Sequence, residues 1–323
     1  MTGKAALREA LEGLAFSGDC RFDEAMAAHT TFKVGGPAEL WIQPDAACFL
    51  SFTPALLGRA KALGIPVFIL GGGANIVAAD RGIEGIVLDM GRWAGMLPGP
   101  EVLGPGPAER EETGRVFAAF RSGTPADQAA CLAASLDLGG LEFLAGMPGS
   151  IGGSVWMNAR CYEKSVSAVL EETEILDGDG AVRRVPFRAA DFGYKKSPFQ
   201  DRDVLILSAL FRLESRPEAE LRAVMEAHRK DREAKGHYRF PSAGSAFKNN
   251  RAFGKPTGQI IDELGLRGLR RGGASIAPWH GNLLINTGRA TAADIRALTG
   301  DVREKVFAAL GIRLECEILF VGF

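Results

Sequence analysis

The strongest constraint on the fold is a run of three glycines, residues 71–73, that directly follows the apolar segment 66–70. Consecutive glycines allow positive φ angles, so a strand that ends in them can turn sharply and bring its backbone close to another group. A second apolar segment, 38–42, lies upstream, and residues 51–63 between the two have the composition of a helix interrupted near Pro54. This order predicts a βαβ unit with the glycine loop at the end of its second strand. The N–H groups of such a loop can converge on a phosphate.

Two further glycine loops occur at residues 31–37 (TFKVGGP) and 145–154 (AGMPGSIGGS). Three such loops in one chain, two of them after apolar runs, favour a large phosphorylated ligand held by backbone N–H groups. The alternative is that all three are ordinary tight turns, in which glycine is common. The loops lack G-x-G-x-x-G spacing, so they do not match the fingerprint of a Rossmann dinucleotide site.

The remaining pattern mixes helices and strands. The chain up to about residue 30 is expected to be helical or irregular, and residues 96–115 are expected to form a surface excursion. Thr124 is expected to cap a helix, and Thr291 with Asp294 predicts a capping-box start for the last helix. The predicted strands are 116–121, 174–176, 182–185, 204–213 and 312–320, and the predicted helices are 126–135, 219–235 and 291–310.

The composition limits the possible partners. The length of 323 residues suggests two or three domains, and a net charge of −1 gives no global field that would favour nucleic acid or an anionic membrane. The five cysteines are scattered without C-x-x-C spacing, which argues against a disulfide framework or a zinc site and fits a reducing cytoplasm. No apolar run reaches the roughly 18 residues needed to span a membrane. We therefore expect a cytoplasmic monomer that binds no metal, nucleic acid or membrane.

One stretch, residues 240–249 (FPSAGSAFKN), places a hydroxyl, an ammonium and an amide among small residues. These polar groups belong to Ser245, Lys248 and Asn249. A turn that leads into a strand would explain the composition, because Gly, Pro, Ser and Asn are the usual turn residues. A loop that lets a ligand approach the backbone while three polar side chains face it would also explain it.

Seven segments resemble, in the same order, the UDP-N-acetylenolpyruvoylglucosamine reductase family of flavoenzymes. They are HTTFKVGGPAEL, ILGGGANI, LEFLAGMPGSIGGSVWMNA, FGYKKSPF, PSAGSAFKN, GGASI and LECEILFVG. They are distributed along the chain from His29 to Phe323, and the long third segment is the most specific. The chain lacks the split insertion and tyrosine loop of the longer members, so it resembles the shorter, type II class.

The resemblance implies an α+β fold with a vanillyl-alcohol-oxidase-type FAD-binding region of two subdomains and a smaller C-terminal α+β substrate domain. The subdomains are expected at residues 1–85 and 86–214, and the substrate domain at 215–323, with its last strand returning toward the flavin. Backbone groups of the three glycine loops would hold FAD. The implied FAD-binding residues are Lys33, Val34, Gly35, Gly36, Gly71, Gly72, Gly73, Ala74, Asn75, Ile76, Gly146, Pro148, Gly149, Ser150, Gly152 and Gly153.

The resemblance also implies a reaction. NADPH would reduce FAD, and a hydride would then pass to the methylene carbon of the enolpyruvyl group of UDP-N-acetylglucosamine enolpyruvate, giving UDP-N-acetylmuramate for peptidoglycan synthesis. Hydride addition leaves negative charge on the neighbouring carbon, which must be stabilised and then protonated. Ser245 matches the family's proton donor and Glu317 the carboxylate that completes the catalytic set. Tyr194, Lys235 and Asn249 match substrate-binding positions.

Three positions depart from the family pattern. Lys195 stands where the family has an arginine that braces the substrate, and lysine keeps the charge but loses the planar fork of donors. Arg160 stands where the family has glycine. The hypothesis is that both are catalytic, with Lys195 supplying charge and Arg160 part of the guanidinium function; the alternative is an Arg160 that faces solvent. Residues 122–124 (Ser-Gly-Thr) replace the family's GAG, so the FAD contact there is not carried over.

Two other functions are compatible with the sequence. One is an FAD-dependent sugar or alcohol oxidase of the same superfamily, although no histidine follows residues 120–123 for covalent attachment of the flavin. The other is a flavin-binding homologue without catalysis, which Lys195 alone favours.

Overall fold

The computed structural model describes residues 3–97 and 116–323. The predicted surface excursion therefore lies, from residue 98 onward, outside the described residues. The helices are α1 (Lys4–Leu11), α2 (Phe49–Ala62), α3 (Ala126–Ala134), α4 (Ile151–Trp156), α5 (Glu218–Ala234), α6 (Thr257–Glu263) and α7 (Ala292–Leu310). Short 3₁₀ turns lie at Met26–Ala28, Glu142–Leu144, Val166–Ala168, Ala189–Asp191 and Arg251–Phe253.

In the described part of the chain, the strands form three larger sheets and two two-stranded pairs. They are β1 (Gly18–Ala25), β2 (Pro37–Pro44), β3 (Val67–Leu70), β4 (Ile76–Ala78), β5 (Ile83–Asp89), β6 (Val116–Arg121), β7 (Leu138–Gly139), β8 (Arg160–Cys161), β9 (Lys164–Ser165), β10 (Leu170–Asp177), β11 (Val182–Pro186), β12 (Val204–Ser215), β13 (Arg270–Arg271), β14 (Ala274–Ile276), β15 (Leu284–Asn286) and β16 (Leu319–Val321).

The first sheet has the strand order β1-β2-β5-β3. Both β2 and β3 run parallel to β5, which confirms the predicted βαβ unit and places β5 between its two strands. The expectation for the first thirty residues is wrong for β1, which pairs antiparallel with β2. Its residues alternate only between half-buried and exposed, so the sequence shows little of the apolar alternation that marks a strand.

The second sheet has the order β11-β10-β12-β6. The predicted hairpin is confirmed as β10 and β11, with Leu176 opposite Val182. The predicted N-cap is wrong by one residue, because Pro125 holds that position before α3. The Thr124 hydroxyl instead donates to the Arg121 carbonyl at 2.7 Å, so it fixes the turn at the end of β6.

The C-terminal part combines α7 with a small sheet of order β13-β14-β15. The capping box of Thr291 and Asp294 is confirmed at the start of α7. The strand predicted for residues 312–320 is mostly wrong, since regular pairing is confined to β16, parallel to β4. The preceding residues follow the serine loop instead, with an isolated bridge between Phe247 and Cys316.

Packing argues for different boundaries from those expected from the resemblance. A boundary at residue 85 would cut β5, whose pairing with β3 continues to Asp89. A boundary at residue 214 would separate α5 from the middle core, in which Leu221 and Met225 are buried. We therefore propose units ending near residues 89 and 235. They are interlocked, because Phe32 from the N-terminal part is buried in the C-terminal core.

Residues 3–97 and 116–323 contain neither a membrane-spanning helix nor a cluster of metal ligands. Neither range contains a helix with the length and apolar character needed to cross a bilayer. Nor does this part of the chain bring three histidine, cysteine or acidic side chains together as a metal site would. The five cysteines are free thiols.

Candidate active site

The second and third glycine loops lie against each other. A Cβ added at Gly72 would lie 2.6 Å from the Gly149 Cα, and one added at Gly71 would lie 2.6 Å from the Ser150 Oγ. Gly73 has a φ of +59°, and its Cβ would lie 2.0 Å from the His29 carbonyl oxygen. Side chains at these positions would push the loops apart. The glycines therefore permit a close approach of backbones after β3.

The first glycine loop is explained mainly by packing. A Cβ at Gly36 would lie 2.0 Å from the carbonyl oxygen of Asp80. The Gly36 carbonyl in turn accepts from the Met26 N–H at 2.9 Å. Lys33 has a left-handed φ of 57°, which points to a backbone held in place by its surroundings. For Gly36, the tight-turn alternative therefore accounts for the residue without a ligand.

The start of α4 offers the best fit to the expected cofactor. Ser150 is its N-cap and accepts from the Gly153 N–H at 3.3 Å. A Cβ at Gly149 would meet a single neighbour, Ala74 Cβ at 3.5 Å. The Ser122 Oγ is buried without a hydrogen-bond partner among the described residues. Ser122 packs on Gly152, since a Cβ added at Gly152 would lie 2.7 Å from the Ser122 Cβ. An orphaned hydroxyl beside a glycine-lined cradle fits the polar edge of an FAD molecule.

A close ion pair joins two residues that are 122 positions apart (317 − 195). The Lys195 Nζ lies 2.6 Å from the Glu317 Oε1, and their side chains are only 12% and 11% exposed. Such a well-shielded pair interacts more strongly than a surface pair, because little water screens it. The pair also neutralises two charges that would be costly to bury separately.

Backbone contacts bring Glu317 to both the glycine loop and the serine loop. The Glu317 N–H donates to the Ala246 carbonyl at 2.8 Å. The Asn75 side-chain amide donates to the Glu317 carbonyl at 2.9 Å. Ser245 precedes Ala246, so its backbone lies next to that of Glu317, whose carboxylate holds Lys195.

Ser245 also lines a cavity of about 370 Å³ in the C-terminal unit. Its loop is fixed by the buried Asn282, whose carbonyl accepts from the Ala246 N–H at 2.9 Å and whose side chain bonds Phe247 N–H and carbonyl at 2.9 and 2.8 Å. Its lining includes Arg267, whose guanidinium is paired with the carboxylate of Asp262 in the same lining, and several neutral polar groups. The other lining residues that matter here are Asn249, Gln259, Trp279 and His280.

Two of the expected substrate residues lie beside this cavity. The Asn249 N–H donates to the Tyr194 hydroxyl at 3.3 Å. The Asn249 side-chain oxygen accepts from the Thr257 N–H at 2.9 Å, which leaves its amide N–H groups for a ligand. Tyr194 is 45% exposed. Lys248, in contrast, is paired with Glu315, so it does not take part in this arrangement.

Among the described residues, neither Arg160 nor Lys235 bonds to Lys195 or Glu317. Arg160 is exposed on β8 and lines a separate cleft of about 670 Å³ with Lys164, Phe187 and Phe192. Within residues 3–97 and 116–323 its side chain makes no hydrogen bond or ion pair, whereas its backbone pairs with Ser165. The role expected for Arg160 stays a prediction, and the solvent-facing alternative gains support. Lys235, at the C-cap of α5, bonds Asp231 at 2.7 Å.

The sequence reasoning missed two groups near the site. Arg232 is 8% exposed; its Nε donates to the Ala145 carbonyl at 3.1 Å and its terminal nitrogen contacts Cys161 Sγ at 2.8 Å. It therefore ties α5 to the third glycine loop. His280 lines the cavity, and burial lowers its pKa, so it is a neutral imidazole at pH 7. The clustered charges of α5 are a sequence signal that could have indicated Arg232. No sequence pattern pointed to His280.

These loops, the cradle and the family models define an FAD-dependent oxidoreductase. The model for an FAD binding domain matches residues 54–186, which contain the second and third glycine loops. The model for the C-terminal domain of UDP-N-acetylenolpyruvoylglucosamine reductase matches residues 236–321, which contain Ser245 and Glu317.

Similar proteins narrow this class to one family. The chain is 38% identical to the UDP-N-acetylenolpyruvoylglucosamine reductase of Treponema pallidum, with 92% of each chain covered, and 37% identical to that of Treponema denticola, with 94% of each covered. The crystal structure of this reductase (MurB) from Thermus caldophilus matches with a TM-score of 0.72 and 29% identity, over 95% of this chain and 100% of the other.

The chain therefore belongs to the UDP-N-acetylenolpyruvoylglucosamine reductase family. The α+β fold class expected from the resemblance is confirmed by this structural neighbour and by the FAD-binding family model. Family membership also disfavours the sugar or alcohol oxidase considered above.

Proposed function

We propose that this protein reduces the enolpyruvyl group of UDP-N-acetylglucosamine enolpyruvate to give UDP-N-acetylmuramate. The reductant is NADPH, and bound FAD supplies the hydride-transfer chemistry between the two substrates. The observation that supports this most directly is the shielded Lys195–Glu317 pair, linked through the Ala246 carbonyl to the loop of Ser245. These groups are the ones that an enolpyruvyl reduction requires.

The cofactor is proposed to lie against the cradle formed by the second and third glycine loops. Ser122 and Gly149 support this position, because they combine an unpartnered hydroxyl with open space beside a glycine. In the first loop, Gly36 acts through backbone packing, and Lys33 supplies the polar side chain that could contact the cofactor. The set of FAD-binding residues expected from the resemblance is kept as a proposal.

Ser245 is proposed to protonate the substrate carbon next to the one that receives the hydride. A hydroxyl is a weak acid, but the carbon it meets carries the electron pair left by hydride addition and is strongly basic. Gly244 and Ala246 flank the serine with little bulk, so a substrate can come within hydrogen-bond distance of its Oγ. Hydrogen bonds accepted by the carbonyl and the side-chain oxygen of Asn282 hold the loop in place.

Lys195 and Glu317 are proposed to manage the developing charge. The Lys195 ammonium lies where it can stabilise negative charge on the substrate carboxylate, and a preorganised cation in a shielded site is effective because it needs no reorientation. Glu317 orients the ammonium through the 2.6 Å contact. This pairing explains how a lysine can serve at the position of the family's arginine: the carboxylate removes much of the flexibility of the lysine side chain.

The sugar nucleotide is proposed to enter the cavity lined by Ser245. Arg267, although paired with Asp262, has further N–H donors for the diphosphate, and the side-chain amides of Asn249 and Gln259 offer hydrogen bonds. Lys235 and Tyr194 are proposed to complete the substrate site. The Nδ1 of the neutral His280 accepts from the Asn282 N–H at 3.2 Å, so its Nε2–H is left as an uncharged donor.

The cellular setting is proposed to be the cytoplasm, with the protein acting as a monomer in cell-wall biogenesis and hence in cell shape and division. The free thiols and the balanced net charge support this setting. Light scattering after gel filtration tests the monomer, because a dimer would elute with twice the mass of 34.4 kDa.

The decisive experiment separates the two half-reactions. The purified, FAD-loaded protein should be bleached by NADPH without oxygen and regain its flavin absorbance when the enolpyruvyl sugar nucleotide is added. Ser245→Ala should keep the bleaching step and slow the recovery by about 10²–10⁴, the usual contribution of a proton donor. Ser242→Ala, three residues away in the same loop, is the control and should behave like wild type. Failure of the wild-type protein to recover would favour a non-catalytic homologue.

A further inference from the structure

Asp231 connects the proposed substrate lysine to another part of the fold. Its Oδ2 accepts from the Lys235 Nζ at 2.7 Å and from the Tyr162 hydroxyl at 3.0 Å. Lys235 follows α5, whereas Tyr162 lies between β8 and β9. One carboxylate oxygen therefore joins the end of α5 to the β8–β9 turn, which begins directly after the segment of the third glycine loop and α4.

Tyr162 is held firmly on α5. Its ring stacks on His228 with centroids 3.8 Å apart and planes within 4°, and its hydroxyl also lies 2.9 Å from the His228 carbonyl. Burial raises the pKa of Tyr162, so the hydroxyl stays protonated and can donate to Asp231. The hydrogen bond from Lys235 in turn holds the pKa of Asp231 below its usual value, so the carboxylate stays charged.

The turn that carries Tyr162 is strained. Tyr162 and the next residue, Glu163, have φ angles of 47° and 63°, a left-handed pair that hairpin turns usually assign to glycine or asparagine. Such strain persists where surrounding contacts hold the backbone in place and is common at functional sites. The contacts of Tyr162 with His228 and Asp231 are the observed source of that support.

We propose that Asp231 is a positioning residue that, together with Tyr162, holds the Lys235 ammonium ready for the anionic substrate. The inference rests on the function proposed above. The ammonium has three N–H donors, and the contact to Asp231 uses one of them, which leaves two for a ligand. The Lys235 side chain is 54% exposed, so without this contact it would sample many rotamers in solvent.

If Asp231 and Lys235 formed only an ordinary ion pair on the helix surface, the opposite effect on substrate binding would be expected. Exposed lysine–carboxylate pairs four residues apart contribute little, and a carboxylate that merely neutralises Lys235 would weaken anion binding. Removing the charge of Asp231 would then improve binding. The two readings of Asp231 therefore differ in the sign of the effect on KM.

The experiment compares Asp231→Asn, Tyr162→Phe and the control Glu226→Gln, measured for the enolpyruvyl sugar nucleotide. Glu226 forms the same kind of pair with Lys230 on α5, at 3.5 Å, with both side chains more than half exposed. We expect Asp231→Asn to raise KM about tenfold, a change of about 1.4 kcal/mol, with kcat within about twofold. Tyr162→Phe should raise KM by less, and Glu226→Gln should leave both constants unchanged.

A double-mutant cycle with Lys235→Met completes the test. If Asp231 acts through Lys235, adding Asp231→Asn to Lys235→Met should have no further effect on KM, whereas independent effects would multiply. Flavin content and melting temperature show whether each variant is folded, and Asp231→Glu should recover part of the binding if the asparagine variant is unstable. An unchanged or lowered KM in a folded, flavin-loaded Asp231→Asn protein overturns the inference. Wild-type protein that is not reoxidised by the sugar nucleotide overturns the proposed function instead.

Discussion

The flavin cradle and the Lys195–Glu317 pair are built in different ways. The cradle depends on what is missing: a Cβ at Gly71, Gly72 or Gly73 would overlap a neighbouring loop. The ion pair depends on two long side chains brought from positions far apart in the chain to within 2.6 Å. A site made of backbone tolerates almost no added atoms, whereas a site made of side chains tolerates only replacements that keep charge and reach.

Among the variants that test this contrast, the largest change in rate is expected at Lys195. Lys195→Met removes the cation and leaves Glu317 shielded and unpaired, so reoxidation by the sugar nucleotide should slow by about 10²–10³. FAD should remain bound, because the cradle is untouched. Lys195→Arg should stay within about tenfold of wild type, since the charge is kept. Stopped-flow measurement of flavin reoxidation gives these rates.

The neighbouring exposed lysine provides the control for this prediction. Lys196→Met should reoxidise at the wild-type rate, because Lys196 is a surface residue. If Lys195→Met also kept that rate, the ion pair would be structural. Arg160→Ala should then be measured: a slower rate would revive the guanidinium hypothesis, whereas an unchanged turnover would end it.

A smaller but still large effect is expected at Gly72. The Cβ of Gly72→Ala would lie 2.6 Å from the Gly149 Cα, which is backbone and cannot rotate away. The two loops must separate, and we expect FAD affinity to fall by at least about tenfold, equivalent to 1.4 kcal/mol. Titration of the apoprotein with FAD, followed by quenching of flavin fluorescence, measures the change.

Gly58→Ala is the matched control for Gly72→Ala. Gly58 lies inside α2, where an added Cβ meets nothing within 4 Å. We expect unchanged FAD affinity and a stability gain of about 0.5–1 kcal/mol from the better helix propensity of alanine. Equal losses of affinity in both variants would mean that the close loop contact is not what holds the cofactor.

This contrast explains what the sequence could predict. The βαβ unit, the β10–β11 hairpin and the capping box of α7 follow from local patterns, and the structure confirms them. The strand β1 and the true course of residues 312–318 depend on partners elsewhere in the chain, so local patterns misled there. Glycine loops are visible because their chemistry is local. The meeting of Lys195 with Glu317 is not local, and only the family resemblance pointed to Glu317.

The last effect concerns stability rather than activity and involves His237, which follows α5. Burial, and then the nearby His280, lowers the pKa of His237 to about 4, against about 6.5 in an unfolded chain. Between these values the unfolded chain binds a proton that the folded protein excludes. The stabilising contribution of His237 is therefore fully present above pH 6.5 and is lost as the pH falls toward 4.

Between pH 7 and pH 5 the free energy of unfolding should fall by about 2 kcal/mol more in the wild-type protein than in His237→Gln, which has no titrating group at that position. Urea unfolding of the flavin-loaded proteins at the two pH values, with the same FAD concentration throughout, measures the difference. His228→Gln is not a suitable control, because its ring supports Tyr162; the pH 7 values of the two proteins serve instead. Equal decreases in unfolding free energy in wild type and variant would show that His237 takes up its proton in the folded state. Its surroundings would then accept a charge as readily as solvent does.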